Sequence, residues 1–140
     1  MRLVLDTNVV ASGLLWGGAP AQLLDAAQVG EIELFTSRPL LAELANILIR
    51  GKFAKAIAAT GLPSDEMVLG YAELATIVEP APLALTIVED PSDDQVLACA
   101  IAAHADLIVS GDKHLHSLGG KYEGITIIRP AEAARMIEAK

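Results

Sequence analysis

The sequence predicts an α/β fold built on a parallel sheet of four or five strands. Two observations predict it. Short apolar runs alternate along the whole chain with stretches of helical periodicity. Four acids, Asp6, Glu43, Asp94 and Asp112, follow those runs or sit in the helices after them. The carboxyl ends of the strands in an open parallel sheet share one edge, and ligands bind there.

Each element follows in order. Arg2 to Leu5 is a short buried-type strand, and Val9 to Leu15 a short helix stopped by Gly17-Gly18. Pro20 to Val29 reads as a helix with Leu23, Leu24 and Ala27 on one face and Gly30 as its stop. Ile32 to Thr36 is the second strand. Ser37 is placed to cap the next helix and Pro39 fits its first turn. Leu40, Leu41, Leu44, Ile47 and Leu48 give that helix an apolar face up to Gly51. Phe53 to Thr60 is helical, Gly61-Leu62-Pro63 breaks it, and Ser64-Asp65-Glu66 starts a helix to about Leu74. Pro80 and Pro82 limit residues 76–85 to a short or edge strand.

The second half is more sharply punctuated. Ser92-Asp93-Asp94-Gln95 has capping-box spacing, with Asp94 opening a helix that carries Val96, Leu97, Ala100 and Ile101 up to His104. Leu107 to Val109 is a strand. Ser110-Gly111-Asp112 turns into a short helix through His116 and Leu118, which Gly119-Gly120 ends. Ile125 to Ile128 is the last strand, and Pro130 opens the last helix.

The 140 residues suit one domain over 1–140, and 53% hydrophobic composition supplies a sizeable core. No apolar run approaches the roughly 20 residues that span a bilayer. The single Cys99, among alanines and Ile101, reads as a reduced buried thiol, and a cytoplasmic protein is expected. A net charge of −8 argues against broad electrostatic attraction to nucleic acid, unless the acids face a cation that neutralises them locally. Arg50, Lys52 and Lys55 form one loose basic cluster, readable as a solvated helix end or as phosphate contacts.

Taken singly, the acids have ordinary explanations. Asp6 and Asp112 are placed to cap helices, and Asp93 and Asp94 sit in a first turn where negative charge complements the helix dipole by roughly 0.3–1 kcal/mol. Glu43 lies past the first turn, at the border of the core-facing stripe, where capping explains it poorly. Four carboxylates on one sheet edge repel one another without a cation, and at least one pKa rises. A set without His or Cys suits Mg2+ or Mn2+ rather than zinc, and such ions serve phosphate chemistry.

In order, Leu3-Val4-Leu5-Asp6-Thr7-Asn8, the helix Ser37 to Glu43, Asp90-Pro91-Ser92-Asp93-Asp94-Gln95-Val96-Leu97, and Ala105 to Leu115 with its Ser110-Gly111-Asp112 turn resemble a PIN domain. The likeness covers essentially the whole chain and is greatest to the VapC-like toxins of type II toxin–antitoxin systems. It implies a three-layer α/β/α sandwich and a Mg2+- or Mn2+-dependent ribonuclease acting on RNA. It also implies a cognate antitoxin and a homodimer. By position, Asp6, Glu43, Asp94 and Asp112 match the family's catalytic and metal-binding acids. Thr7, Asn8, Asp93 and Ser110 match supporting positions. Asp94 is preferred to Asp93 because Leu97 and Ile101 then fall at the usual apolar offsets. His114 and His116 depart from the pattern, standing where many relatives carry an acid or polar residue.

Two rival readings stand beside this one. A haloacid-dehalogenase-like phosphatase also places an Asp after its first strand, but needs a second Asp where this chain has Asn8. A non-catalytic interaction domain would use the acids only as caps. His104 is expected in the core and Trp16 in packing or a partner contact; His114 and His116 lie near Asp112, where substrate contact is the lesser reading and metal binding a lesser one still. Leu40-Leu41 and the helix after Pro63 are candidate dimer or antitoxin surfaces.

Overall fold

The computed structural model describes residues 1–82 and 91–139. Leu85, the expected end of the third strand, and Asp90 lie outside the described residues. Strands β1 (Arg2–Leu5), β2 (Glu33–Thr36), β3 (Thr76–Ile77), β4 (Leu107–Val109), β5 (Lys121–Tyr122) and β6 (Ile125–Ile128) form one sheet in the order β3-β2-β1-β4-β6-β5. All neighbours pair in parallel except β5 with β6. The expected α/β class holds, with five parallel strands and a sixth, antiparallel one among the described residues. That sixth strand belongs to a hairpin whose loop residues, Glu123 and Gly124, both have positive φ, the conformation that matches strand twist in a two-residue turn. The proline-limited third strand is indeed two residues long and lies at the sheet edge.

Helices α1 (Thr7–Leu15), α2 (Ala19–Gln28), α3 (Arg38–Leu48), α4 (Ala54–Thr60), α5 (Ser64–Leu74), α6 (Pro91–Ala102), α7 (Lys113–His116) and α8 (Pro130–Glu138) fill the connections. Ser37 caps α3 as its sequence predicts, its Oγ accepting from the Leu40 N–H at 3.4 Å. Two boundaries differ from expectation. Helix α6 begins at Pro91, so Ser92 lies inside it rather than at its cap. Helix α7 stops at His116, and the chain turns from there to Gly120.

Strand alternation divides the core into two layers. Leu3 and Leu5 of β1, with Leu107 and Val109 of β4, pack toward α1, α2, α5 and α8. Val4 and Ile108 point the other way, against Val96, Leu97 and Ala100 of α6 and Leu115 of α7. Helix α3 serves both layers, with Leu44, Ile47 and Leu48 in the first and Leu40 in the second. Each fully buried Leu or Ile here contributes about 1.5–3 kcal/mol. The sheet with helices on both faces is the expected three-layer sandwich.

Arg2 fastens the start of β1 to the α6–β4 connection. Its N–H donates to Asp106 Oδ2 at 2.7 Å, its Nε–H to the Ala103 carbonyl at 2.8 Å, and its guanidinium lies 4.2 Å from the Phe35 ring centre. His104 is a correction. It is exposed, not in the core, and has φ of 50°. It ends α6 in a left-handed turn, with His104 N–H bonded to the Ile101 carbonyl and Ala105 N–H to that of Ala100.

Helices α1 and α2 approach closely at Gly13. A Cβ there would stand 2.8 Å from Leu24 Cδ1 and 2.9 Å from the Pro20 carbonyl oxygen. Gly to Ala in a helix interior normally gains about 0.5–1 kcal/mol, but overpacking against backbone costs about 1–3 kcal/mol. The clash dominates, so Gly13→Ala is expected to lower the denaturation midpoint in urea. An unchanged or raised midpoint would show that the helix pair yields.

Candidate metal centre

Strand alternation also decides which side chains meet at the sheet edge. Asp6 follows β1 and Ser110 follows β4, each in phase with Val4 and Ile108, so both belong to the α6 side. Their strands are aligned by pairing of Leu5 with Val109, and the Asp6 N–H donates to the Val109 carbonyl at 2.9 Å. Ser110 Oγ then donates to Asp6 Oδ2 at 2.7 Å and accepts from the Asp112 N–H at 2.9 Å. One hydroxyl thus ties two acids 106 positions apart in sequence.

Asp6 is buried, 5% exposed, and occupies the N-cap position of α1. Burial pushes its carboxyl above the ordinary value. The Ser110 hydrogen bond and the backbone N–H of Asn8 act against that rise, and the charge of Asp112 adds to it. Thr7 is buried with its hydroxyl 3.5 Å from Asp6 Oδ1, at the limit of a hydrogen bond, and Asn8 is exposed. Asp112 caps α7, its Oδ1 accepting from the His114 N–H at 2.7 Å. His116 Nε2 donates to the Ser110 carbonyl at 2.6 Å, bracing the same turn. Asp6, Asn8, Ser12, Gly111, Asp112 and Pro130 line an open pocket of about 360 Å³.

Of the two neighbouring acids on α6, Asp93 is the one brought to Asp112. It is buried, 2% exposed, and its Oδ2 lies 3.9 Å from His114 Nδ1, which is 3.4 Å from Asp112 Oδ1. One ligand atom from each of Asp93, Asp112 and His114 lies within 4.8 Å of the others. Asp94 is half-buried, and its charge is felt at Tyr122 on β5, whose phenol is pushed up by burial first, then by Glu123 and Asp94. Glu43 is half-buried on α3, which packs against both α1 and α6. Among the described residues it makes no hydrogen bond or ion pair, and it is not part of the three-residue group.

The sequence reading prefers Asp94, whereas the group of three holds its neighbour Asp93. Residues 93 and 94 point about 100° apart around a helix, and only the packing of α6 decides which faces β4. The imidazole of His114 in an otherwise acidic group was not expected. Its place two residues after Asp112 was the available signal.

Elsewhere, Cys99 is buried as expected, and burial pushes its thiol up to about 12. Trp16 is 50% exposed and packs on Phe53, with ring centres 5.7 Å apart. Arg50, Lys52 and Lys55 are exposed, and the Lys52 ammonium lies 5.0 Å from the Phe53 ring centre. Among the described residues, no helix is long and apolar enough to cross a membrane.

A sequence profile of the PIN domain matches residues 2–114. A search of curated proteins found none that matches.

The Asp6 carboxyl yields a pH prediction. Its folded pKa lies above the ordinary 3.8, so the folded protein holds this proton more tightly than the unfolded chain does. Its contribution is most favourable below the unfolded value and is lost as pH rises through the folded one. Asp6→Asn removes the penalty and keeps an oxygen to accept from Ser110. In chelator, the variant is expected to melt above wild type at neutral pH, with the gap closing as pH falls to about 3.8. A gap that widens on acidification would reverse the assigned sign.

Proposed function

The chain belongs to the PIN domain family, a nuclease fold, and on that premise we propose that it is a Mg2+- or Mn2+-dependent endoribonuclease hydrolysing RNA phosphodiester bonds. The observation that carries the proposal is the convergence of Asp6, Asp93 and Asp112 on one sheet edge through Ser110, α6 and α7. The donors fit a divalent cation. They are carboxylate oxygens, one of them on a buried Asp6 whose ionised form burial disfavours, beside a buried nitrogen without a hydrogen bond, His114 Nδ1.

In this reading Asp6, Asp93 and Asp112 hold the metal. Glu43 and Asp94 complete the acidic surroundings directly or through water. When bound, the metal lowers the pKa of a water and neutralises charge on the scissile phosphate. Ser110 fixes the Asp6 carboxylate, and Thr7 and Asn8 orient ligands or water at the pocket mouth. We take residues 1–140 as one such domain. The phosphatase alternative is disfavoured by Asn8, which offers no second carboxylate for a general acid.

The family branch extends the proposal to a cytoplasmic toxin of the VapC-like kind, held by a cognate antitoxin and paired as a homodimer. Exposed Trp16, Ile49, Leu62 and Leu69 support a protein partner of one of these kinds.

Antitoxin-free protein is expected to cut RNA only when Mg2+ or Mn2+ is added. Asp6→Asn should lower cleavage by roughly a hundredfold or more while its circular dichroism stays that of wild type. Equal cleavage by the two proteins, or cleavage in chelator, would sink the assignment. A non-catalytic domain would show neither cleavage nor a thermal shift with Mn2+.

A further inference from the structure

Resting on the reading of this edge as a divalent-cation centre, we propose that His114 Nδ1 is itself a ligand, and that the centre therefore favours a first-row transition ion over Mg2+. Ring and carboxylate belong to one turn, because the His114 N–H is bonded to Asp112 Oδ1. Nδ1 lies 3.4 Å from that same oxygen and 3.9 Å from Asp93 Oδ2. Two ligands each about 2.1 Å from a six-coordinate ion are about 3.0 Å apart when adjacent and about 4.2 Å apart when opposite. Both separations fall between those limits.

The ring is turned inward at this atom. The His114 side chain as a whole is 42% exposed, yet Nδ1 is buried and makes no hydrogen bond. A neutral imidazole that carries its proton on Nε2 presents a lone pair at Nδ1. His116 does not compete from the same position, since its Nε2 is committed to the Ser110 carbonyl. His104 is exposed beyond the far end of α6.

The chemistry of the donor sets the preference. Mg2+ binds oxygen and keeps much of its water. A nitrogen donor adds little for Mg2+ and more for transition ions, whose affinity for such sites rises along the first row from Mn2+. An aspartate at position 114 would give an all-oxygen set. The histidine marks this chain as one whose metal choice is altered by a single side chain.

Mn2+ alone, added to the purified full chain, is the probe. Pulsed electron paramagnetic resonance of the bound ion is expected to show coupling to an imidazole 14N. His114→Asp should remove the coupling and lower the Mn2+ over Mg2+ preference, read by competition calorimetry, about tenfold or more. The chain has three histidines, so a His104→Gln, His116→Gln double variant that keeps the coupling assigns it to His114, even if His114→Asp does not fold. Bound Mn2+ without 14N coupling overturns the ligand assignment and leaves the acidic centre standing. A coupling that survives His114→Asp also overturns it. Failure of Mn2+ to bind wild type at all overturns both the assignment and the cation centre.

Discussion

The parallel pairing of β1 with β4 is the constraint on which the rest depends. The register Leu3 with Leu107, Val4 with Ile108 and Leu5 with Val109 does two things. It sets which residues face which layer of the core, and it delivers Asp6 and Ser110 side by side just past the strand ends. A slip of one residue would exchange the two faces of β1 and point Asp6 toward α1 and α8. The same register places the centre where the chain reverses its progress across the sheet, with β2 and β3 laid to one side of β1 and β4 and β6 to the other. Clefts form at such points because successive connections leave on opposite faces.

The energetics of the centre oppose those of the core around it. Burial of apolar side chains stabilises both layers, while the same exclusion of water penalises ionised Asp6. A hydrogen bond to a charged group recovers about 1.5–3 kcal/mol, and Ser110 supplies one. It does not offset burial and the nearby Asp112, since the carboxyl remains pushed upward. A cation at this edge would reverse that balance, and its binding would then be linked to fold stability through one carboxylate.

Much of the architecture could be read from the chain because its signals are local. The apolar run before Asp6, the Ser37 cap with Pro39 behind it, and the paired glycines after α7 each act within a few residues. The failures share a different character. The β5 hairpin has two-residue strands, too short for alternation to show, and its turn is marked only by Gly124 after Glu123. His104 looked like the end of an apolar face, but helix termination placed it in solvent. Whether residue 93 or residue 94 stands beside Asp112 depends on how α6 packs, which is a tertiary fact. Glu43 is half-buried on α3 and stands outside the group of Asp93, Asp112 and His114, a separation that helix periodicity does not reveal.

The tie between Asp6 and Ser110 spans 104 positions, and this has a consequence for synthesis. On the ribosome, Asp6 emerges long before its strand partner. Until the segment around Val109 and Ser110 leaves the exit tunnel, β1 has no neighbour on that side and Asp6 has no hydroxyl to hold it. Asp112 follows two residues later and Ile128, whose carbonyl accepts from the Ser110 N–H, later still. A nascent polypeptide that has not yet exposed Ser110 and Asp112 therefore carries the first acid without the residues that gather around it.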